Sequence, residues 1–547
     1  MIEKGLITEE LLHQLGDAAR SYMNYSSKFV LKEMYSLISK EGRLEQLTDN
    51  LSGFSYFNST SGTVDNFFSC TMVESYYAPN CTSIQSYAFQ YCYNLKTFEA
   101  SQCTEIGAGA FEDCRNLSNI SFPRAININA RAFHSAGISA SASNITWSFP
   151  ECTTLGNGCF YYLTNVDKME LPKCSEITGF DYARIKEISI PQCTSILSEA
   201  FYYCAKLSNV YAPQCQYVGN KAFQNCSVLT EINLPECTRL GSSVFYYCSS
   251  LTSINLPACT FIGSHAFAYC RDLSEVYLPN LTSFSGIPFY AMSNLQKLDL
   301  PCCNYFKSTA ISSCSNLKIL HLSNVTSLSS SCFYQFDGLE EVNLQNLISL
   351  PSGAFGFNDM LRSINLDNCQ KIGSAALAYA SALTSLNLPE CLSIYTGAFQ
   401  GCFKLEHVSL PKVQNIESYA FGGLSNLSQI NLPAIQTLSS TAFATCGTLR
   451  IASLGTCSSI GSQCFYQCRK LEAVDLTNTT SVCGLYNSNA FSYTPIAGPL
   501  TTDSVTVTGY VYVPSSLYEQ YISATNWSYY KDQIRSHAPG GIQIENI

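Results

Sequence analysis

The side chains able to do chemistry recur in this sequence at fixed intervals. Its 547 residues include 28 cysteines, six histidines and 35 tyrosines. Cys204, Cys226, Cys248 and Cys270 stand 22 residues apart, as do Cys215, Cys237 and Cys259, so most cysteines fall into two columns. Thiols in such numbers can form disulfides, bind metal or fill a core. The residues that replace them bear on the choice. Ala136, Leu163, Met292, Phe336 and Leu424 fill gaps in the first column, and Ala125, Leu281, Val325, Leu347, Val413 and Ile435 fill gaps in the second. Both positions accept small or medium apolar groups, which favours buried free cysteine. A disulfide ladder is the rival reading, since neighbouring repeats would bring Cα atoms within bonding range. Runs broken by Leu, Ala or Phe do not come in pairs, however. No C-x-x-C or H-x-x-x-H spacing occurs, so no metal site is expected.

His13, His134, His265, His321, His407 and His537 fall in separate repeats, and no His-based nucleophile arrangement is expected from them. No nucleophile elbow, phosphate loop or dinucleotide fingerprint occurs in a suitable context. The acid pair Glu340 and Glu341 would point to opposite faces of a strand, the wrong geometry for paired-carboxylate work. The expectation is a protein that is not an enzyme, with no catalytic residues and no cofactor.

What remains is a surface. One row reads Tyr211, Asn233, Asn255, Tyr277, Asp299, His321 and Asn343, again at intervals of 22. Tyrosine offers stacking area and asparagine both a donor and an acceptor, the chemistry of protein or sugar recognition. The plainer reading is a row of solvated strand residues. A second aromatic group, Tyr161, Tyr162, Tyr202, Tyr203, Tyr246, Tyr247, Tyr269 and Tyr290, belongs to the opposite side, where it could simply cover coil edges.

The elements that must position these residues are set by an apolar anchor. Phe201, Phe223, Phe245, Phe267 and Phe289 are spaced by 22, and the register runs from Phe67 to Phe465 with Ile311 and Leu377 filling two gaps. An insertion around Ala136 to Ser143 and a deletion near Phe180 disturb it. The coil of Phe180 is therefore expected to open first. In each unit a segment such as Leu251-x-x-Ile254-x-Leu256 has the alternation of a short strand. Pro257 then ends the strand, and Gly263 is expected to permit a tight turn back. Stacked strands predict an α/β repeat fold, a right-handed solenoid of about twenty coils with one long parallel β-sheet. The first residues of each column lie three and fourteen residues after the anchor, and the recognition row ten after it.

Composition agrees with a stacked, uncharged surface. Charged residues make up 13% of the chain and the formal net charge is −10. Clustered Lys and Arg are missing, so neither nucleic acid nor an anionic membrane surface is an expected partner. No stretch is long and apolar enough for membrane insertion.

The motifs Leu234-Pro235-Glu-Cys237-Thr and Ile262-Gly263-Ser-His-Ala266-Phe267 resemble the BspA-like leucine-rich repeats of bacterial surface proteins. The resemblance spans residues 64 to 498. It implies an extracellular or cell-surface protein that binds a protein or glycan ligand in adhesion. Solenoids need caps. Residues 1–50 are expected to form a helical N-terminal cap, with helices over 8–23 and 28–39, residues 51–498 the solenoid, and residues 499–547 a strand-helix C-terminal cap and tail. Leu15-Gly-Asp17-Ala18-Ala19-Arg20 is also similar to N-terminal modules of phage-tail and mobile-element proteins, which implies the alternative of a phage-tail or receptor-binding component.

Overall fold

The computed structural model describes residues 56–58 and 62–537, apart from 65–66, 70–72, 141–143, 308–309 and 503–504. The predicted N-terminal helices, and with them the phage-tail resemblance, lie outside these residues. Two compact units divide at Leu273 and Ser274.

In both units every regular coil contributes two short strands and one tight corner. The longer strand, such as Glu231–Asn233, buries its middle residue and turns its flanking residues outward, as alternation demands. The second strand, such as Phe261–Ile262, has two residues, of which the second is buried. Neighbours pair in parallel and in register one repeat apart, for example Ile232 with Ile254 and Leu240 with Ile262. The protein is thus a parallel β-solenoid of stacked repeats with few helices.

One long sheet was expected, and the structure corrects this in two ways. Each unit carries two rows of strands, and both rows are interrupted. In the first unit the longer row breaks between Asn119–Ser121 and Ile145–Ser148, on either side of the inserted residues. In the second unit the longer row includes a five-stranded sheet from Glu275–Tyr277 to Ser363–Asn365. Two residues carry no alternation, which is why the second row is silent in the sequence.

The corner holds the anchor. Phe201, Phe223 and Phe245 stack at 5.2 and 5.5 Å between centroids, and Phe421, Phe443 and Phe465 at 5.1 and 5.5 Å. These near-parallel contacts, fully buried, add to the burial of each ring. The coil of Phe180 keeps the stack despite its deletion, with Phe160 at 4.7 Å and Phe201 at 5.4 Å. The anchor amide donates to the next coil, Phe201 N to Ala222 O and Phe245 N to Ala266 O, both at 2.8 Å. To make this turn the residues two before and two after the anchor take left-handed backbone, as at Ser243 (φ 55°) and Tyr247 (φ 59°) around Phe245.

Gly263 plays a different part from the one expected, for its φ is not in the left-handed region. A Cβ there would run into the Gly241 backbone of the preceding coil. At Gly373, in the second unit, it would sit 2.6 Å from Ser352 N. Close approach of coils, rather than turn geometry, is what excludes a side chain.

The C-terminal end departs from repeat geometry. Tyr510–Pro514 pairs with Ala473–Asp475 on one side and with a final strand, Ile534–His537, on the other. The helix between them covers only Tyr518–Ser523, followed by a 3-10 segment Trp527–Gln533. Tyr521, Trp527 and Tyr530 are buried against the last coil, with Phe491 6.0 Å from Trp527.

Candidate functional site

The seven residues of the recognition row divide between the two units. In the first, Tyr211, Asn233 and Asn255 end the strands Asn209–Tyr211, Glu231–Asn233 and Ser253–Asn255, and all three are exposed. Tyr211 is 56% exposed, far more than a packed tyrosine. Asn255 Nδ2 donates to Asn233 Oδ1 at 2.8 Å, so half of that amide pair is already satisfied.

In the second unit Tyr277, Asp299, His321 and Asn343 are consecutive register partners of the five-stranded sheet. Tyr277 is 58% exposed. His321 stands between two carboxylates, with Nδ1 3.4 Å from Asp299 Oδ2 and Nε2 3.3 Å from Glu341 Oε1. Glu341 begins the strand Glu341–Asn343, eight residues after the anchor, and stood in the sequence only as half of an acid pair with Glu340. The outward side of the long strands has two positions per coil, and only one of them was read as a row.

Asn343 is spoken for in part. Its Oδ1 accepts from Gln345 N at 3.2 Å and its Nδ2 donates to Ser323 Oγ at 3.2 Å. Asn365 Oδ1 and Asp475 Oδ1, at the same repeat position, accept from Asp367 N and Thr477 N. A side chain folded back on the amide two residues on is a local turn device, and it supplies a structural reason for Asn at the strand exit.

The far-side tyrosines make ladders. In the first unit Tyr162, Tyr182 and Tyr203 stack at 5.0 and 5.1 Å with nearly parallel rings, flanked edge-on by Tyr161 and Tyr202. Tyr247 and Tyr269 stack at 4.3 Å, with Tyr246 edge-on to both. Ring faces inside such a ladder are covered by each other. Burial pushes the Asp181 carboxyl, beside Tyr182, up to about 6, aided by Glu199 and opposed by its own N–H.

One group that could do chemistry does converge. Ser135 Oγ lies 3.1 Å from His134 Nδ1, and Glu112 Oε1 lies 3.8 Å from the same nitrogen. A nucleophile relay needs the hydroxyl on one ring nitrogen and the carboxylate on the other. Here both address Nδ1. Glu112, buried, is also held by Gln90 Nε2 at 3.1 Å and by Arg131. Burial, with Arg131 adding to it, holds His134 below the ordinary imidazole range against the pull of Glu112 and Asp113.

Among the described residues the cysteines are free and almost all buried. Their columns make two different hydrogen bonds. In the first, the thiol reaches the anchor carbonyl of the preceding coil, Cys226 to Phe201 O at 3.2 Å and Cys248 to Phe223 O at 3.1 Å. In the second it reaches the carbonyl two residues on, Cys215 to Tyr217 O and Cys303 to Tyr305 O at 3.3 and 3.2 Å. Burial pushes the Cys259 and Cys314 thiols up to about 11. Protonated thiols are donors, and poor nucleophiles or metal ligands. Among the described residues no three His, Cys, Asp or Glu side chains form a metal-binding group, and no helix is long and apolar enough to cross a membrane.

A search of curated proteins finds no match. Among solved structures the chain is similar to a leucine-rich repeat protein from Bacteroides ovatus, at 21% identity over 72% of this chain and 82% of that one, TM-score 0.38. It is similar also to one from Eubacterium ventriosum, at 15% over 72% and 90%, TM-score 0.21. A leucine rich cell surface protein from Faecalibacterium prausnitzii shares 16% over 77% and 82%, TM-score 0.20. The BspA type leucine rich repeat region, in six copies, matches residues 82–179, 176–296, 287–403 and 392–512. Those segments span most of the described coils, and the chain belongs to the BspA-type leucine-rich-repeat family.

Proposed function

We propose that this protein is an extracellular or cell-surface binding protein that holds a protein or glycan ligand on the outward side of its long strands and does not catalyse a reaction. The observation that carries the reading is the exposure of Tyr211 and Tyr277, at 56% and 58%, on strands fixed by their neighbours on the sheet. Large aromatic side chains on a rigid support lose little entropy on binding and commonly dominate an interface. In the first unit Asn233 and Asn255 extend the contact beside Tyr211, and in the second Asp299, His321 and Asn343 extend it beside Tyr277. Family membership supports a binding role, and the sharing of one His134 nitrogen by Ser135 and Glu112 speaks against a hydrolase.

The test is a glycan and protein array probed with the full chain, followed by Tyr211→Ser and Tyr277→Ser. For a verified ligand at least one of these substitutions should weaken binding tenfold or more, about 1.4 kcal/mol, with melting unchanged because neither side chain is in the core. Unchanged affinity in the double variant would remove the ligand from these strands.

A further inference from the structure

Resting on that reading, we infer that the sheet from Glu275–Tyr277 to Ser363–Asn365 takes a basic peptide segment, with a lysine or arginine side chain lying between the Tyr277 ring and the Asp299 carboxylate. Three features carry the assignment. The first is charge. The outward positions of the first four strands are Glu275 and Tyr277, Lys297 and Asp299, Ile319 and His321, Glu341 and Asn343, so three carboxylates face one ammonium.

The second feature is the imidazole. Each nitrogen of His321 has a carboxylate oxygen within 3.4 Å, and each contact engages one oxygen of its carboxylate. With two oxygens and about four lone-pair sites apiece, Asp299 and Glu341 keep acceptor capacity for a donor from outside. Lys297 and Glu275 on one side and Glu341 on the other are the remaining charged groups facing the ring and Asp299 from adjoining strands. Lys318, just before the His321 strand, leans toward Glu340 at 3.8 Å.

The third feature is Tyr277 itself, whose register partner is Asp299 one strand away. An open aromatic face next to a carboxylate is what a cation on a flexible apolar stem can use at both ends, by cation–π contact and by an ion pair. A neutral sugar could offer these carboxylates hydroxyl donors but no opposite charge. The strands of Asp299, His321 and Asn343 are already paired on both edges, so the segment meets them through its side chains and not by adding a strand.

The experiment uses the full chain and a fluorescein-labelled hexa-arginine peptide, with a hexa-serine peptide and a neutral oligosaccharide array alongside. Anisotropy should report binding of hexa-arginine that weakens with added salt and is lost tenfold or more in Asp299→Asn with Glu341→Gln, and fivefold or more in Tyr277→Ser. Glu390→Gln with Glu472→Gln, which likewise removes two charges, from the pairs with Lys412 and Arg450, serves as the control for net charge and should change affinity less than twofold. Equal losses in the control and the site variants would mean attraction to an acidic protein at large and would overturn the inference. So would hexa-serine binding as well as hexa-arginine. A neutral glycan bound with loss in Tyr277→Ser would sink the basic-peptide assignment while leaving the strand face as the binding surface.

Discussion

A cysteine that looks apolar by its replacements turns out to be a donor. Among the described residues each thiol of the first column meets an anchor carbonyl of the coil before it, and the exception is instructive. Asn358 stands three residues after Phe355, in the cysteine's place, fully buried. Its Nδ2 donates to Phe333 O at 2.8 Å and its Oδ1 accepts from Phe336 N at 2.9 Å. Asn358→Leu should therefore leave one buried N–H and one buried C=O without partners, a loss of about 2 to 6 kcal/mol at 1 to 3 for each group. Urea denaturation of the two proteins reads it directly, and a loss below 0.5 kcal/mol would show that the amide is not needed. Burial at this position was legible in the sequence, because Leu, Met and Phe replace the cysteine. The hydrogen bond was not, because the carbonyl it serves is a property of the corner backbone. Asn358, a lone amide in an apolar column, was the one sequence signal that could have exposed it. The recognition row shows the same limit in reverse. Its outward direction follows from alternation, but the meeting of Glu341 with His321 across neighbouring strands needed the sheet.

At the scale of the coil, the corner is built from backbone that most side chains avoid. Tyr162, Tyr182 and Tyr203 all have φ between 54° and 58°, in a region that costs a side chain about 1 to 2 kcal/mol relative to right-handed backbone. Their stacked rings offset part of this. The same crowding buries Asp181 among them, and its raised pKa has a consequence for stability. The folded protein holds this proton more tightly than the unfolded chain does. Its favourable contribution is complete below the ordinary value of 3.8 and is lost as pH rises through about 6. Asp181→Asn, which cannot ionise, should then melt above the parent protein at pH 8 and by a margin that shrinks toward pH 5. Calorimetry at both pH values checks the sign, and a larger margin at pH 5 would contradict it. The partial exposure of Asp181 keeps the effect small. Periodicity in the sequence gave the coil its anchor and its long strand. It could not give the left-handed residues, since Ser, Lys, Tyr and Gly share those positions and only a backbone trace tells them apart.

Across the whole molecule the thiols act as reporters distributed through both units. The chain has 28 cysteines, and 26 of the 27 in the described residues are buried, with Cys302 partly exposed. In a repeat protein each coil is stabilised by itself and by its neighbours, so opening is local and graded rather than all-or-none. A buried thiol is modified only when its coil opens, and the site of modification reports where. The C-terminal coil would open readily if it ended the stack bare, but the segment after it is docked on Cys483. Tyr521 Oη accepts from Cys483 N at 2.9 Å, and Trp527 Nε1 donates to Cys483 O at 2.6 Å. Cys483 Sγ in turn lies 3.6 Å from Cys457 Sγ, one coil inward. Trp527→Ala removes a fully buried ring and one of these hydrogen bonds, a change that typically costs about 3 to 5 kcal/mol where the cavity cannot collapse. With iodoacetamide under native conditions, labelling should begin at Cys302 in the parent protein, with Cys457 and Cys483 slow. In Trp527→Ala those two should become fast, by roughly a factor of ten for each 1.4 kcal/mol of lost protection, while Cys369 and Cys391 keep their parent rates. If instead all four quickened together, the unit would be opening as one body, and the docked segment would be stabilising the whole of it rather than closing its last coil.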